Sequence, residues 1–88
     1  MDDLKVYRDK IDKIDAELVA LFEERMEIVL KIAAYKKANK LPVYNASREK
    51  EVIARNTSRL KNQDFAESLE KFLLYMMDLS KEEQRKRL

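Results

Sequence analysis

Two basic residues share a helical face with an apolar stripe, and their types and spacing could support anion binding. Apolar residues recur in steps of three and four over residues 4–37, and Arg25 occupies one position of that stripe. Lys36 follows eleven residues later, about 20° away around a helix. A buried guanidinium costs free energy unless it is paired. Arg25 is therefore expected to pair with a carboxylate, to extend to the edge of the stripe, or to bind an anion.

Arg8 lies too far along the same helix to reach this point within one chain. It precedes Arg25 by seventeen residues, which places it roughly 25 Å away along the axis and about 100° around it. In an antiparallel dimer of this helix, Arg8 of the second chain could reach Arg25. The spacing suggests a composite pocket, with Arg25 and Lys36 from one chain and Arg8 from the other.

Polar residues on two later helices could complete this pocket. Arg48 and Glu49 stand at the start of the predicted second helix, where a helix N-terminus favours anions. On the predicted third helix, Ser80 and Gln84 interrupt a face that is apolar up to that point. A pocket with so many hydrogen-bond donors suits a small polyanion.

The composition excludes several kinds of catalysis. The chain has no His and no Cys, so it lacks the usual zinc ligands, general bases and thiol nucleophiles. No metal or other cofactor is expected. Any reaction in the pocket should then depend on positioning and electrostatics instead of proton transfer.

Charge and hydropathy indicate the class of protein. Charged residues make up 41% of the chain with a net charge of +2, and they are interleaved as on solvated helix faces, so no nucleic acid partner is expected. Met1 is followed by two Asp, and no apolar run is long enough for a signal peptide or a membrane span. The prediction is a cytoplasmic protein with no membrane partner and a single domain over residues 1–88.

Periodicity predicts an all-α chain of three helices: long, short and medium. No stretch alternates with the period of two that a strand requires. The first helix covers residues 4–37, is capped by Asp2 or Asp3, and should end near Asn39, which tolerates the left-handed conformation. A short connection over residues 39–44 follows.

The two later helices are predicted from their capping residues. The second begins at Asn45 or Ser47, both good N-caps, and ends around residues 61–62. The third follows residues 64–67, which resemble a capping box with Asp at the cap and Glu three positions later.

The first helix is too long for the domain that it belongs to. About 34 residues at about 1.5 Å each give roughly 50 Å, whereas a compact globule of this chain length has a radius of gyration of about 12 Å. The helix would protrude with its apolar stripe exposed. A second copy of the chain is the simplest cover, so the prediction is a two-fold homodimer.

Polar positions spread over the whole chain match a known family in their spacing. They are Arg8 within residues 4–15, Glu24-Arg25, Lys36, Pro42-Val43, Arg48-Glu49 with Glu51, and Asp78-Leu79-Ser80 followed by Gln84. With these residues the chain resembles the all-helical class of chorismate mutases, of the small intertwined homodimer type. The spacing differs by a single residue between the second and third helices, and no one motif is distinctive.

The resemblance implies the Claisen rearrangement of chorismate to prephenate, on the route to phenylalanine and tyrosine. The substrate would be the chorismate dianion, and the dimer would be intertwined with composite active sites. Arg25, together with Arg8 of the other subunit, would hold the two substrate carboxylates. Ser80 would assist at a carboxylate.

The resemblance also implies which side chains face the reacting atoms. Lys36 and Gln84 would donate to the ether oxygen, where negative charge grows as the C–O bond breaks. Glu49 would accept from the ring hydroxyl, and Arg48 would orient Glu49 and add positive field. Relatives often carry an acidic residue where this chain has Asn45, which could accept a hydrogen bond from substrate or serve simply as an N-cap.

Two other functions stay open. An isochorismate–pyruvate lyase has the same fold and shares the pocket, so the sequence separates it poorly from a mutase. A non-enzymatic helical dimer that binds nucleic acid or a partner helix is supported by residues 85–87, which are all basic, and by a pI near 8.8. Against it, the sequence has neither aromatic interleaving nor a one-sided basic stripe.

Overall fold

The computed structural model describes residues 2–87 and contains three α-helices with short connections. The helices are α1 (Asp3–Ala38), α2 (Ala46–Thr57) and α3 (Ala66–Lys86), with a 3₁₀ turn at Gln63–Phe65 before α3. No strand occurs within residues 2–87. The predicted all-α fold with long, short and medium helices is confirmed. Met1 and Leu88, the two ends of the expected domain, lie outside the described residues, and a single domain over 1–88 stays a prediction.

Two helices begin at caps that the sequence predicted. The Asp2 carboxylate accepts hydrogen bonds from the backbone N–H groups of Leu4 and Lys5 at 3.1 and 3.3 Å. At the start of α2, the Asn45 side-chain oxygen accepts from the backbone N–H of Arg48 at 3.0 Å. Of the two candidates at each place, Asp2 and Asn45 are the residues used.

The left-handed residue at the C-terminus of α1 is Lys40, one position later than predicted. Asn39 has a φ of −102°, and Lys40 has a φ of 55°. The N–H of Lys40 donates to the Lys37 carbonyl at 3.3 Å, and the N–H of Leu41 donates to the Lys36 carbonyl at 2.8 Å. Gly is the usual residue at such a position. Because the chain has no Gly, a Lys adopts the conformation at a cost of about 1 kcal/mol.

The predicted end of α2 at residues 61–62 is wrong, since the helix ends at Thr57. The reason lies in a side chain beyond it. The Gln63 amide donates to the carbonyls of Thr57 and Leu60 at 3.1 and 2.9 Å, so it satisfies acceptors that a further turn of helix would have used.

The predicted capping box over residues 64–67 is also wrong. α3 begins at Ala66 and has no side-chain hydrogen bond at its cap. The Asn62 side chain instead caps the preceding 3₁₀ turn by accepting from the N–H of Asp64 at 3.0 Å. Asp64 lies inside that turn, one residue before Phe65, which occupies the N-cap position of α3.

The core lies between α3 and the second half of α1. α3 packs against both of the other helices. The buried apolar residues are Val29, Ala33, Leu73 and Met77. The buried polar residues are Ser80 and Gln84, so the buried face of α3 becomes polar where the sequence predicted.

The first half of α1 extends beyond this core. Residues 2–24 are all exposed, and stripe residues such as Leu4, Ile11 and Leu18 keep 53%, 54% and 49% of their surface accessible. The structure measures 58 Å along its longest axis, and its radius of gyration is 16.3 Å, against about 12 Å for a compact chain of this length. The predicted protrusion of the first helix is confirmed.

Within residues 2–87, none of the helices is both long and apolar enough to cross a membrane. The cytoplasmic location stays a prediction.

Candidate active site

A cavity of about 310 Å³ opens where the three helices meet. We call it the three-helix cavity. Its polar lining residues are Arg25, Lys36, Asn45, Arg48, Glu49, Ser80, Lys81 and Gln84, and its apolar ones are Val29, Ile32, Val43, Val52 and Met77. The structure thus brings together every predicted site residue except Arg8. The volume suits a small organic molecule.

Arg25 is held by a hydroxyl group on α3. Arg25 Nη1 donates to Ser80 Oγ at 2.6 Å, and the Ser80 hydroxyl donates to the Met76 carbonyl at 2.9 Å. Burial lowers the pKa of Arg25 from its usual value, and the nearby charge of Arg48 lowers it further. Within residues 2–87, no carboxylate pairs with this guanidinium. A half-buried cation beside another cation favours an anionic ligand.

Gln84 brings an amide to the same cavity from one turn further along α3. Its side chain is buried, and among the described residues its Oε1 has no hydrogen-bond partner. An unpaired buried polar atom costs free energy. Oε1 is an acceptor, so only a donor on a ligand can form that missing bond, whereas the amide N–H groups are the donors for a ligand oxygen.

Lys36 is fixed in the cavity by the connection that leads to α2. Its Nζ donates to the backbone carbonyl of Val43 at 2.8 Å, in a partly buried contact. An ammonium has three N–H donors, so this bond orients the group and leaves two donors for a ligand.

The two charged residues at the start of α2 pair differently from the prediction. Arg48 was expected to orient Glu49, but its Nη1 donates to Glu51 Oε1 at 2.8 Å. Arg55 shares the same oxygen at 2.7 Å. Side chains three or four residues apart on one helix face each other, and Glu51 is three residues from Arg48 and four from Arg55. Glu49 is adjacent to Arg48 in sequence and points to a different face.

Lys81 is the cavity residue that sequence reasoning missed. Its Nζ lies 2.9 Å from Glu49 Oε2, 3.2 Å from Asp78 Oδ1 and 4.8 Å from the centre of the Tyr44 ring. The hydrogen bond with Glu49 is the main cause that raises the pKa of Lys81 above its usual value. The sequence could have indicated the contact with Asp78, which lies three residues earlier on the same helix. It could not have indicated the contact with α2, since that contact depends on tertiary packing.

Charge in the cavity is strongly unbalanced. Among the described residues, four cationic side chains line it, from Arg25, Lys36, Arg48 and Lys81, against the single carboxylate of Glu49. Within residues 2–87, no group of three or more His, Cys, Asp or Glu side chains could hold a metal ion. The arrangement can bind a small anion with several carboxylates and stabilise negative charge that develops on it.

The sequence of this chain matches a known protein family. Residues 7–85 match chorismate mutase type II, and that range includes every predicted site residue from Arg8 to Gln84. This chain belongs to the chorismate mutase type II family. The family resemblance predicted from the sequence is confirmed.

Two curated relatives of this chorismate mutase type II chain are much longer proteins. The T-protein of Haemophilus influenzae is 41% identical over 49 residues, which cover 56% of this chain and 13% of that protein. The bifunctional chorismate mutase/prephenate dehydratase of Aquifex aeolicus is 36% identical over 53 residues, which cover 60% of this chain and 15% of that protein. The chain therefore spans a small part of the length of each.

A solved structure resembles the whole chain. It is a conserved hypothetical protein from Pyrococcus furiosus, 34% identical in sequence, with a TM-score of 0.73 over 96% of this chain and 97% of that chain. The structural match therefore covers nearly all of this chain.

Arg8 is the one predicted site residue that does not line the three-helix cavity. It belongs to the exposed first half of α1. Between that half and the cavity runs an apolar groove, the α1–α3 groove, lined by Leu18, Val19, Leu21, Phe22, Phe72 and Met76 together with Arg25. Arg25 lines both the groove and the three-helix cavity, so the two adjoin at this side chain.

Proposed function

We propose that this chain catalyses the Claisen rearrangement of chorismate to prephenate, in aromatic amino acid biosynthesis. One observation supports the proposal: in a chain of the chorismate mutase type II family, three predicted cations and a buried amide line one small cavity. They are Arg25, Lys36, Arg48 and Gln84. Chorismate is a dianion that carries an ether oxygen and a ring hydroxyl. The cavity offers cations for the carboxylates, donors for the ether oxygen and an acceptor for the hydroxyl.

The reaction is consistent with the kinds of residue in the site and with the absence of His and Cys from the chain. In this unimolecular step, the ether C–O bond breaks while a C–C bond forms, and no proton or electron leaves the substrate. General bases and nucleophiles are therefore unnecessary. The protein must hold the substrate in its reactive conformer and present preorganised donors to the charge that develops in the transition state.

The carboxylates would bind at the Arg25 end of the cavity. Arg25 already has a fixed orientation through its 2.6 Å hydrogen bond to Ser80, so little conformational entropy is lost when an anion binds. Ser80 would assist at a carboxylate, with the partner subunit's Arg8 as the second guanidinium.

The ether oxygen would bind between Lys36 and Gln84. They reach the cavity from α1 and α3, respectively, and both can donate a hydrogen bond. On the α2 side, Glu49 would accept from the ring hydroxyl. Arg48 would add positive field, and Asn45 would line the edge of the ring site.

The proposal includes a homodimer with composite sites. The exposed stripe of α1 and the α1–α3 groove form apolar surface that a second copy of the chain would bury. A second α1 in the groove would pass beside Arg25, because Arg25 forms part of the groove. An antiparallel arrangement would bring the partner subunit's Arg8 to the cavity.

The first experiment follows the loss of chorismate absorbance after purified protein is added, with prephenate identified by acid conversion to phenylpyruvate. We expect turnover that a bicyclic dicarboxylate analogue of the transition state inhibits competitively. A folded protein that leaves chorismate unchanged would refute the mutase proposal.

Isochorismate, tested in parallel, separates the mutase from the lyase. Lyase activity would release pyruvate from isochorismate. Pyruvate release faster than prephenate formation would assign the same cavity to isochorismate–pyruvate lyase chemistry instead.

A further inference from the structure

Lys81 joins three parts of the structure at the wall of the three-helix cavity. Its ammonium contacts Glu49 on α2, Asp78 on α3 and the ring of Tyr44 in the connection between α1 and α2. Only 15% of the Lys81 side chain and 19% of the Glu49 side chain are accessible to solvent. The exposed pair of Lys71 and Glu67, by contrast, keeps 76% and 83%. The Lys81–Glu49 pair is thus the one among the described ion pairs that is shielded from water on both sides.

The contact between Lys81 and Glu49 affects the electrostatics of the cavity. Glu49 is the only carboxylate among the described lining residues, and a bare carboxylate would repel a dianion. The cations Arg25, Lys36 and Arg48 line the same cavity, but the structure pairs none of them with Glu49. Lys81 does so through Oε2, and Oε1 can still accept a hydrogen bond.

We propose that Lys81 is a positioning residue that orients and neutralises the Glu49 carboxylate, so that the cavity admits a dianionic substrate and presents Glu49 to it as an acceptor. This inference rests on the proposed function. Lys81 acts through Glu49 and does not itself contact the reacting atoms. No motif of the sequence assigns it this role.

Substitutions of Lys81 in two backgrounds test the proposal. Lys81→Met keeps the length of the side chain and removes the charge, and we expect kcat/KM for chorismate to fall about ten-fold, mostly through a higher KM. In the Glu49→Gln background, which has no carboxylate to neutralise, Lys81→Met should change kcat/KM by less than about two-fold. Lys81→Arg should restore most of the activity.

A matched control removes an exposed pair from the same helix. Lys71→Met deletes the contact with Glu67 and should leave kcat/KM unchanged, because exposed pairs contribute little. If Lys81→Met lowers kcat/KM equally in both backgrounds, Lys81 contacts the substrate directly and the positioning role is overturned.

A titration of the unliganded protein separates this inference from the proposed function. The raised pKa of Lys81 means that its cation persists above its usual titration range and is lost only as pH rises through the raised value. NMR of the Lys81 side chain should therefore give a lower pKa in Glu49→Gln than in the unmodified protein. Equal pKa values would overturn the positioning role, whereas inactivity towards chorismate with unequal values would refute only the proposed reaction.

Discussion

At the residue scale, Lys36 contributes both to the fold and to the three-helix cavity. Its Nζ bonds the Val43 carbonyl and so ties α1 to the connection before α2, and it also lines the three-helix cavity. A hydrogen bond of this kind contributes about 1 kcal/mol to stability. A donor aimed at an oxygen that gains charge in the transition state contributes more to rate than it does to stability.

We therefore expect Lys36→Ala to separate activity from stability. Turnover of chorismate should fall by about 10²- to 10³-fold, as when one preorganised donor to a developing anion is removed. The free energy of unfolding, measured by urea denaturation, should fall by only about 1 kcal/mol.

The control for this substitution is the next residue. Lys37 carries the same charge on the same turn of α1, but it is exposed and lies outside the three-helix cavity. Lys37→Ala should keep near-normal turnover. Similar turnover in the two variants would contradict the role assigned to Lys36.

Site residues could be predicted from sequence where they break a pattern. Arg25 interrupts an apolar stripe, and Ser80 and Gln84 turn a buried face polar, so each stands out against its neighbours. Lys81 also ends an apolar row, since it follows Leu73 and Met77 in steps of four. A Lys at the polar end of a helix is nevertheless typical of ordinary surface. Its importance comes from Glu49 on another helix, and sequence periodicity carries no information on that contact.

At the element scale, α2 forms one wall of the cavity with little packing to hold it. It has no buried residue, and it packs against α3. Its N-terminus is fixed by the Asn45 cap, which stands at the edge of the cavity. Capping and the Lys81–Glu49 pair therefore have a large share in placing this wall.

Substitutions of Asn45 test the cap. We expect Asn45→Ala to lower the free energy of unfolding by about 1 kcal/mol, because the N–H of Arg48 loses its acceptor. Asn45→Asp should keep that stability, since a carboxylate caps equally well and also favours the helix N-terminus. Urea denaturation of the three proteins measures both effects.

Asn62 provides the matched control, because its side chain caps the 3₁₀ turn outside the cavity. Asn62→Ala should cost stability but leave turnover unchanged. If Asn45→Ala unfolds at the same urea concentration as the unmodified protein, the cap contributes nothing and the account of α2 is wrong.

The number and order of helices were predictable, and the details of their ends were not. Caps that act on their own helix, Asp2 and Asn45, were correctly among the candidates. The predicted capping box before α3 is wrong because Asn62 caps a 3₁₀ turn that contains Asp64, and the spacing of Asp64 and Glu67 does not indicate that turn. The left-handed position fell on Lys40, where propensity argues against it, because the backbone hydrogen bonds decide the place.

At the scale of the whole molecule, the proposed site spans two chains. Arg8 and Arg25 would serve the same site from different subunits. Each single variant, Arg8→Ala or Arg25→Ala, should then form dimers in which both sites are damaged. A mixed dimer should regain one intact site, because one subunit supplies Arg25 and the other supplies Arg8.

Subunit mixing gives a quantitative expectation. Equal amounts of the two inactive variants, unfolded together and refolded, should recover about a quarter of the activity of the unmodified protein, since half of the dimers are mixed and each has one good site of two. Each variant refolded alone is the control. No recovery in the mixture, with dimers confirmed by sedimentation, would mean that Arg8 and Arg25 do not share a site.

The exposed half of α1 has a further consequence for the proposed dimer, through mass action. Within residues 2–87, one chain buries only four apolar side chains, so most of the hydrophobic free energy would come from association. Folding and dimerisation would then be a single equilibrium, with no stable folded monomer. Each ten-fold dilution would remove about 1.4 kcal/mol from the apparent stability of the dimer. The melting temperature of this protein would therefore be a function of its concentration.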